Sequence, residues 1–304
     1  MLRSTGTSEY AVSAAAEGVC CVATSPCIGC ALQIPGLLLP LQLLIPAMLP
    51  AMLHLASVAG GASMPAAFDL RNVDGKNFLS PVRNHHLPIN SGCASCWSVT
   101  TASVLGDRLN MLIDKAGVRG VGRIEVSAQY LLNCVPGQRR CGYPGSAGAA
   151  MQYVMQHGIP DESCAPWQNA WDGRTATKPY GVQQCDPLHI CAQMMIDPKT
   201  GHPASFPNHT NHLQPVDNPR MYHIVSNNQV PPNNTQAIME ALQTGPVPCG
   251  IHADPLVSYT KGIMIDPDGG MTSDDHSVAI VGWGAEAGTP YWVVQNNWCA
   301  QLHT

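Results

Sequence analysis

Apolar residues recur at helical spacing in only a few stretches of this chain. Leu105, Leu109, Leu112 and Ile113 form one stripe, which predicts a main helix from about Cys96 to Lys115. Ser127 is placed to cap a short helix ending at Cys134. A third helix is predicted from about Ser146 to His157, stopped by Gly158 and Pro160. Gln236 to Thr244 reads as a short helix ended by Gly245-Pro246. The pattern then becomes β-like at Val247 to Ala253, His276 to Trp283 and Tyr291 to Asn297, with Gly288-Thr289-Pro290 linking the last two strands. Between these regimes, residues 164–235 are rich in Pro, Asn, His and Gln and show little periodicity. They read as a long loop region stapled by Cys164, Cys185 and Cys191. Helices first and strands last predict an α+β arrangement of two lobes of different class.

Residues 1–63 have another character. Arg3, Glu9 and Glu17 are the only charges before Asp69, and Ala31 to Ala59 is almost wholly apolar apart from its prolines. Leu41 to Ala56 reads as the apolar region of a signal peptide, with Ser57-Val58-Ala59 as small residues for cleavage. A membrane anchor or a pro-like segment is the alternative for the same stretch. Pro35, Pro40, Pro46 and Pro50 argue against a lone spanning helix. The expected domains are therefore 1–63, an apolar N-terminal segment, and 64–304, a mixed globular domain.

Composition narrows the setting. The net charge of −5, without basic runs, argues against nucleic acid and anionic membrane surfaces as partners. A membrane enters only if the apolar N-terminal segment is retained. Thirteen cysteines point to an oxidising compartment. The sequons at Asn208 and Asn233 agree with glycosylation in a secretory pathway.

The candidate chemistry lies in Cys93-Ala94-Ser95-Cys96-Trp97-Ser98. A thiol at a helix N-terminus meets unpaired N–H groups and the positive end of the helix dipole, which stabilise the thiolate. The same six residues also fit a redox pair, a zinc clip or two structural cysteines. A cysteine nucleophile needs a base and a group to orient that base. His276 starts one predicted strand and Asn296 lies near the end of the next, so antiparallel pairing can bring the two together.

With these residues in view, the chain resembles the papain family of cysteine proteases, whose nucleophile signature appears as Cys93-Ala94-Ser95-Cys96-Trp97. Val126-Ser127-Ala128-Gln129 through Cys134 and the order His276, Gly282-Trp283-Gly284, Asn296-Asn297-Trp298 follow the same family. Phe68 to Gly75, His157 to Cys164 and Gly245 to Ile251 are similar to its cathepsin X (cathepsin Z) branch of carboxypeptidases. The resemblance covers about Met64 to Trp298. His276 lies 180 residues after Cys96, beyond the usual ~130–150, and the Pro/Asn-rich insert accounts for the excess.

The resemblance implies a papain-like fold with a helical left lobe and an antiparallel, β-barrel-like right lobe. It implies Cys96 as nucleophile, His276 as general base and acid, Asn296 as orienter and Trp298 as a shield over the His–Asn hydrogen bond. His85 or Asn90 takes the place of the family's oxyanion glutamine. His86, on a loop before the nucleophile, would hold the substrate's C-terminal carboxylate. The implied disulfides are Cys93–Cys141, Cys134–Cys185 and Cys164–Cys191. The reaction is acyl transfer through a thioester and needs no metal or cofactor. Peptides or proteins are the implied substrates, cystatin-type inhibitors the implied partners, and a lysosomal, vacuolar or extracellular site the implied location.

Several positions depart from the family pattern. Asp275 stands beside His276 in place of asparagine, and a neighbouring carboxylate raises an imidazole pKa. After Asn296 the chain reads Asn297-Trp298-Cys299 where the family has Ser-Trp-Gly. Further family strands beyond that point have no counterpart, so the right lobe is expected to be C-terminally truncated with an open sheet edge, leaving Cys249 and Cys299 unpaired. The alternatives to a carboxypeptidase are a papain-like endopeptidase, and a catalytically impaired or truncated relative acting as a binding or decoy protein.

Overall fold

The computed structural model describes residues 64–86, 93–137, 145–168, 185–195, 213–231, 234–265 and 274–298, together with strands β1 (Val12–Ala14) and β2 (Ile28–Gln33). Strand β3 (Phe68–Asp69) precedes three helices, α1 (Cys96–Lys115), α2 (Ala128–Cys134) and α3 (Ala147–His157). Then come β4 (Ile159–Pro160), α4 (Pro187–Ile190), β5 (Ala192–Met194), β6 (Leu213–Pro215) and β7 (Met221–Gln229). The last part contains α5 (Thr235–Leu242), β8 (Val247–Ile251), α6 (Asp254–Val257), β9 (Gly262–Met264), β10 (His276–Glu286) and β11 (Thr289–Gln295). The architecture is α+β. Among the described residues no helix is long and apolar enough to cross a membrane.

Local signals account for the helices. Ser127 Oγ accepts from Tyr130 N–H and Ser146 Oγ from Ala149 N–H, so each caps its helix. Gly158 ends α3 at φ 77°, a conformation only glycine adopts without strain. Helix α1 packs against α2, α3, β8 and β10 and joins the two parts of the molecule. Its Trp97, Leu105 and Leu109 are fully buried, whereas Leu112 and Ile113 are half-buried toward the C-terminal end. Arg108, 2% exposed, points from α1 to the turn between α5 and β8 and donates to the carbonyls of Pro246 (2.8 Å) and Gly245 (3.0 Å). Those contacts satisfy a buried guanidinium and fix the strand region relative to the helix.

The central sheet is built on β10. It pairs antiparallel with β11 along one side; along the other, β8 takes its first half and β3 its second. A bulge between Ile280 and Gly282 shifts the register against β11. Ala287 (φ 49°) and Gly288 (φ 81°) make the two-residue hairpin turn, so Thr289-Pro290 belong to the strand rather than to the link. The described strands form open sheets and no closed barrel, within the α+β, papain-like fold that the resemblance implied. At Gly282 an added Cβ would lie 2.3 Å from the Phe68 carbonyl oxygen. Gly282→Ala is expected to push β3 off β10 and destabilise the fold by about 1–3 kcal/mol, read as a lowered midpoint in thermal unfolding.

Two features depart from the sequence reading. The region 164–235 was expected to be loop, yet it contains the nine-residue β7, in which Tyr222 and Ile224 point inward. No strand was read in residues 1–63, yet β2 pairs along β7, from Ile28↔Gln229 to Gln33↔His223, and β1 pairs with β9, in sheets separate from the one built on β10, where β11 is the outer strand. Strands drawn from residues 1–63 thus provide backbone hydrogen-bond partners that an edge otherwise leaves unmet.

Candidate active site

Cys96 is the first residue of α1, is 5% exposed, and is the free cysteine among the described residues. Ser95 N–H donates to the Cys93 carbonyl (2.8 Å), tightening the turn before the helix. The N–H groups of Ser277, Trp97 and Cys96 itself favour the thiolate, as a helix N-terminus should. Burial outweighs them and pushes the thiol pKa up, with the Asp275 charge adding to the rise. The expectation of a stabilised thiolate is therefore reversed, because the thiol is enclosed by protein rather than set at an open helix end.

His276 begins β10 and is 5% exposed. Its Nε2 lies 2.8 Å from Asn296 Oδ1, which also accepts from Asn297 N–H at 2.8 Å. An amide oxygen only accepts, so Nε2 carries the proton and Nδ1 is the basic nitrogen of the neutral ring. Burial pushes His276 down to about 4, opposed by the Asn296 hydrogen bond and the Asp275 charge and reinforced by His86. The Asp275 effect has the expected sign but is smaller than desolvation. The Trp298 ring lies 4.7 Å from the His276 ring, tilted by 34°.

The loop before the nucleophile brings His85 and His86 to the same place. Arg83, at its base, is held by Glu125 (3.1 Å) and Glu162 (3.3 Å). His85 N–H donates to the Asn297 carbonyl (2.9 Å), and Ser95 Oγ donates to the His85 carbonyl (3.3 Å). The His85 ring is 5.8 Å from the His276 ring and 3.8 Å from the His86 ring. Burial, with His86 and His276 nearby, pushes His85 down to about 2, so its imidazole stays neutral. His86 lies 6.3 Å from the Trp298 ring. Asn90 lies outside the described residues, as do Cys141, Asn208 and Asn233.

Cys134–Cys185 and Cys164–Cys191 are disulfides. Cys93 is disulfide-bonded to a partner that lies outside the described bonds. So is Cys249, which corrects the expectation of an unpaired thiol there. Cys249 is 3% exposed on strand β8, where an oxidised pair is compatible with a dry core.

Among the described residues, His252, Asp254 and Asp275 place metal-ligand atoms within 4.8 Å of one another. Local contacts already occupy them: Asp275 Oδ1 accepts from Ala253 N–H at 2.8 Å, and Asp254 lies 3.4 Å from His252 Nε2. The thiol, imidazole and amide need no such ion for acyl transfer.

Sequence reasoning passed over Thr100, Ser277 and Asn297, which join α1 to β10 behind the site. The available signals were Thr100, four residues after Cys96 on one helix face, and asparagine in place of the family's serine at position 297.

The sequence pattern of the papain family of cysteine proteases matches residues 64–303. A protein named cathepsin Z from Onchocerca volvulus is 30% identical over 240 residues, covering 77% of this chain and 66% of its own length. Cathepsin B-like cysteine proteinase 1 of Ostertagia ostertagi is 25% identical over 228 residues, covering 70% and 59%. The chain thus spans about two thirds or less of these relatives. The crystal structure of the Amb a 11 cysteine protease, a ragweed pollen allergen in its proform, matches with a TM-score of 0.50 at 22% identity, over 79% of this chain and 58% of that one. That likeness carries the fold.

Proposed function

Since the chain belongs to the papain family of cysteine proteases, we propose that it hydrolyses peptide bonds through Cys96, His276 and Asn296 and acts as a carboxypeptidase. Cys96 Sγ attacks the peptide carbonyl while His276 Nδ1 takes the thiol proton. The imidazolium then protonates the leaving amine, and a thioester remains. Water attacks the thioester with His276 again as base, which releases the acid and restores the thiol. A neutral thiol and a neutral imidazole are the protonation states that proton transfer during attack requires. Asn296 holds the ring with Nδ1 free, and Trp298 keeps water from the Nε2 hydrogen bond. His85 is a side-chain candidate for an oxyanion donor, since a neutral imidazole carries one N–H, and the backbone N–H of Cys96 is another.

The observation that carries the carboxypeptidase reading is the position of His86 in the same cluster as His276 and Trp298, close enough for its charge to act on His276. A cationic imidazole there forms a charge-assisted hydrogen bond to a substrate's terminal carboxylate. His86→Ala is expected to lower kcat/KM on free-acid peptides by about 10- to 100-fold and to leave C-terminally amidated peptides unaffected. Equal cleavage of both substrates by the wild type would instead favour an endopeptidase. The disulfides Cys134–Cys185 and Cys164–Cys191 favour an oxidising, secretory or lysosomal setting, and cystatin-type inhibitors remain the expected protein partners.

A further inference from the structure

Asn297 is hydrogen-bonded to Asn296, His85, Thr100 and Ser277, each of them part of the proposed site or next to it in the fold. Its side chain is buried, at 4% residual exposure. Nδ2 donates to Thr100 Oγ1 and to the Ser277 carbonyl, both at 2.8 Å. The Thr100 hydroxyl donates to that same carbonyl at 2.8 Å, closing a three-membered ring of hydrogen bonds. Thr100 stands one turn along α1 from Cys96. Ser277 follows His276 on β10, and its N–H is among the groups that favour the Cys96 thiolate. The Asn297 backbone extends the set: its N–H donates to Asn296 Oδ1, and its carbonyl accepts from His85 N–H.

The two acceptors settle which way the carboxamide points. With oxygen and nitrogen exchanged, an amide oxygen would face the Ser277 carbonyl oxygen. In the orientation that remains, Asn297 Oδ1 is buried with no hydrogen-bond partner. An unmet buried acceptor is unfavourable to folding, so stability alone does not explain asparagine here. What the carboxamide adds, and a shorter hydroxyl side chain could not add in the same way, is a double donor spanning helix and strand.

We propose that Asn297 is a positioning residue that sets how His276 meets Cys96, by tying the Ser277 peptide on β10 to Thr100 on α1. The proposal rests on the Cys96–His276–Asn296 reading. The nucleophile belongs to a helix and the base to a strand, so their separation depends on how closely the two elements are held. A displacement of about 1 Å between reacting groups lowers rates by about 100-fold.

The test uses the full chain and measures peptide hydrolysis, together with the pH dependence of Cys96 alkylation by iodoacetamide. Asn297→Leu preserves volume and removes both donors, and Thr100→Val removes the shared hydroxyl. Each is expected to lower kcat by about 10- to 100-fold, to leave KM within about twofold, and to shift the alkylation pH profile. The double variant is expected to lose little more than either single one, because the two side chains share an acceptor. Thr100→Ser, which keeps the hydroxyl, retains most of the rate. Should Asn297→Leu fail to fold, Thr100→Val and Thr100→Ser carry the comparison. Folded variants with an unchanged kcat and alkylation profile overturn the proposal. So does a rate loss matched by the lost fraction of folded enzyme with the profile unmoved. Hydrolysis surviving in Cys96→Ala overturns it differently, by removing the reading on which it stands.

Discussion

Cys96→Ser is expected to lower kcat/KM for peptide hydrolysis by about 10⁴- to 10⁶-fold while the fold is retained. The substitution exchanges one small buried group for another at a position that is 5% exposed. A serine hydroxyl ionises far less readily than a thiol, and a base with pKa near 4 is too weak to activate it well. The remaining rate would come from substrate binding and oxyanion stabilisation alone. Kinetics on the folded variant measures the loss, and an epoxide thiol probe followed by peptide mapping locates the reactive group. Wild-type protein should carry one adduct, at Cys96, and the variant none. A folded Cys96→Ser variant within tenfold of wild type would place the nucleophile elsewhere. A folded wild-type protein that resists the probe would favour the binding or decoy reading over the enzyme.

The second large effect concerns acid. His276 is held near 4 and His85 near 2, against the ordinary value of 6.5, and burial is the leading cause for both. Both rings are therefore neutral in the folded protein at pH values where the unfolded chain would bind a proton. The unfolded state binds more protons below about pH 6.5, so stability falls as pH drops through that value and continues to fall toward the folded pKa. For His276 the window runs from 6.5 to about 4 and is worth about 3 kcal/mol. His85 adds to the loss across the same window and continues below it. Asp107 acts in the opposite sense. Burial raises its carboxyl to about 6 despite its pairing with Arg123, so the folded state binds the extra proton between about 6 and 4. One carboxyl offsets roughly one histidine, and Glu162 and Asp274, whose carboxyls burial also raises, act in the same sense as Asp107 and reduce the net loss. Urea unfolding midpoints should fall between pH 7 and pH 4. His276→Gln, which cannot ionise, should flatten the slope. A flat or rising wild-type curve would contradict the buried, neutral state of these rings.

The helices were legible because their signals are local. Ser127 and Ser146 cap from within one turn, Gly158 stops α3 by its own φ, and Leu105 and Leu109 mark the buried stripe of α1. Strand β7 was not legible. Its residues Met221 to Gln229 include His, Ser and Asn, and only Tyr222 and Ile224 are buried. Partners on both sides, β2 and β4, make it a strand, and neither is a neighbour in sequence. The same limit applies to the pairings of β1 and β2. Their segment reads as an apolar leader or anchor, and strand pairing depends on which edges lie nearby.

Residue identity and order were enough to nominate Cys96, His276 and Asn296 as the candidates, because a cysteine at a helix start and a histidine and an asparagine at strand ends are each marked by short local patterns. Their ionisation was not contained in those patterns. The helix N-terminus favours a thiolate and Asp275 favours an imidazolium, yet burial reverses both outcomes. Asn297 belongs to the same category, since its role exists only once Thr100 and Ser277, distant in sequence, converge on one amide. Helix starts and stops follow from residues within a turn of one another. Desolvation and convergent hydrogen bonds are sums over neighbours that only the folded chain brings together.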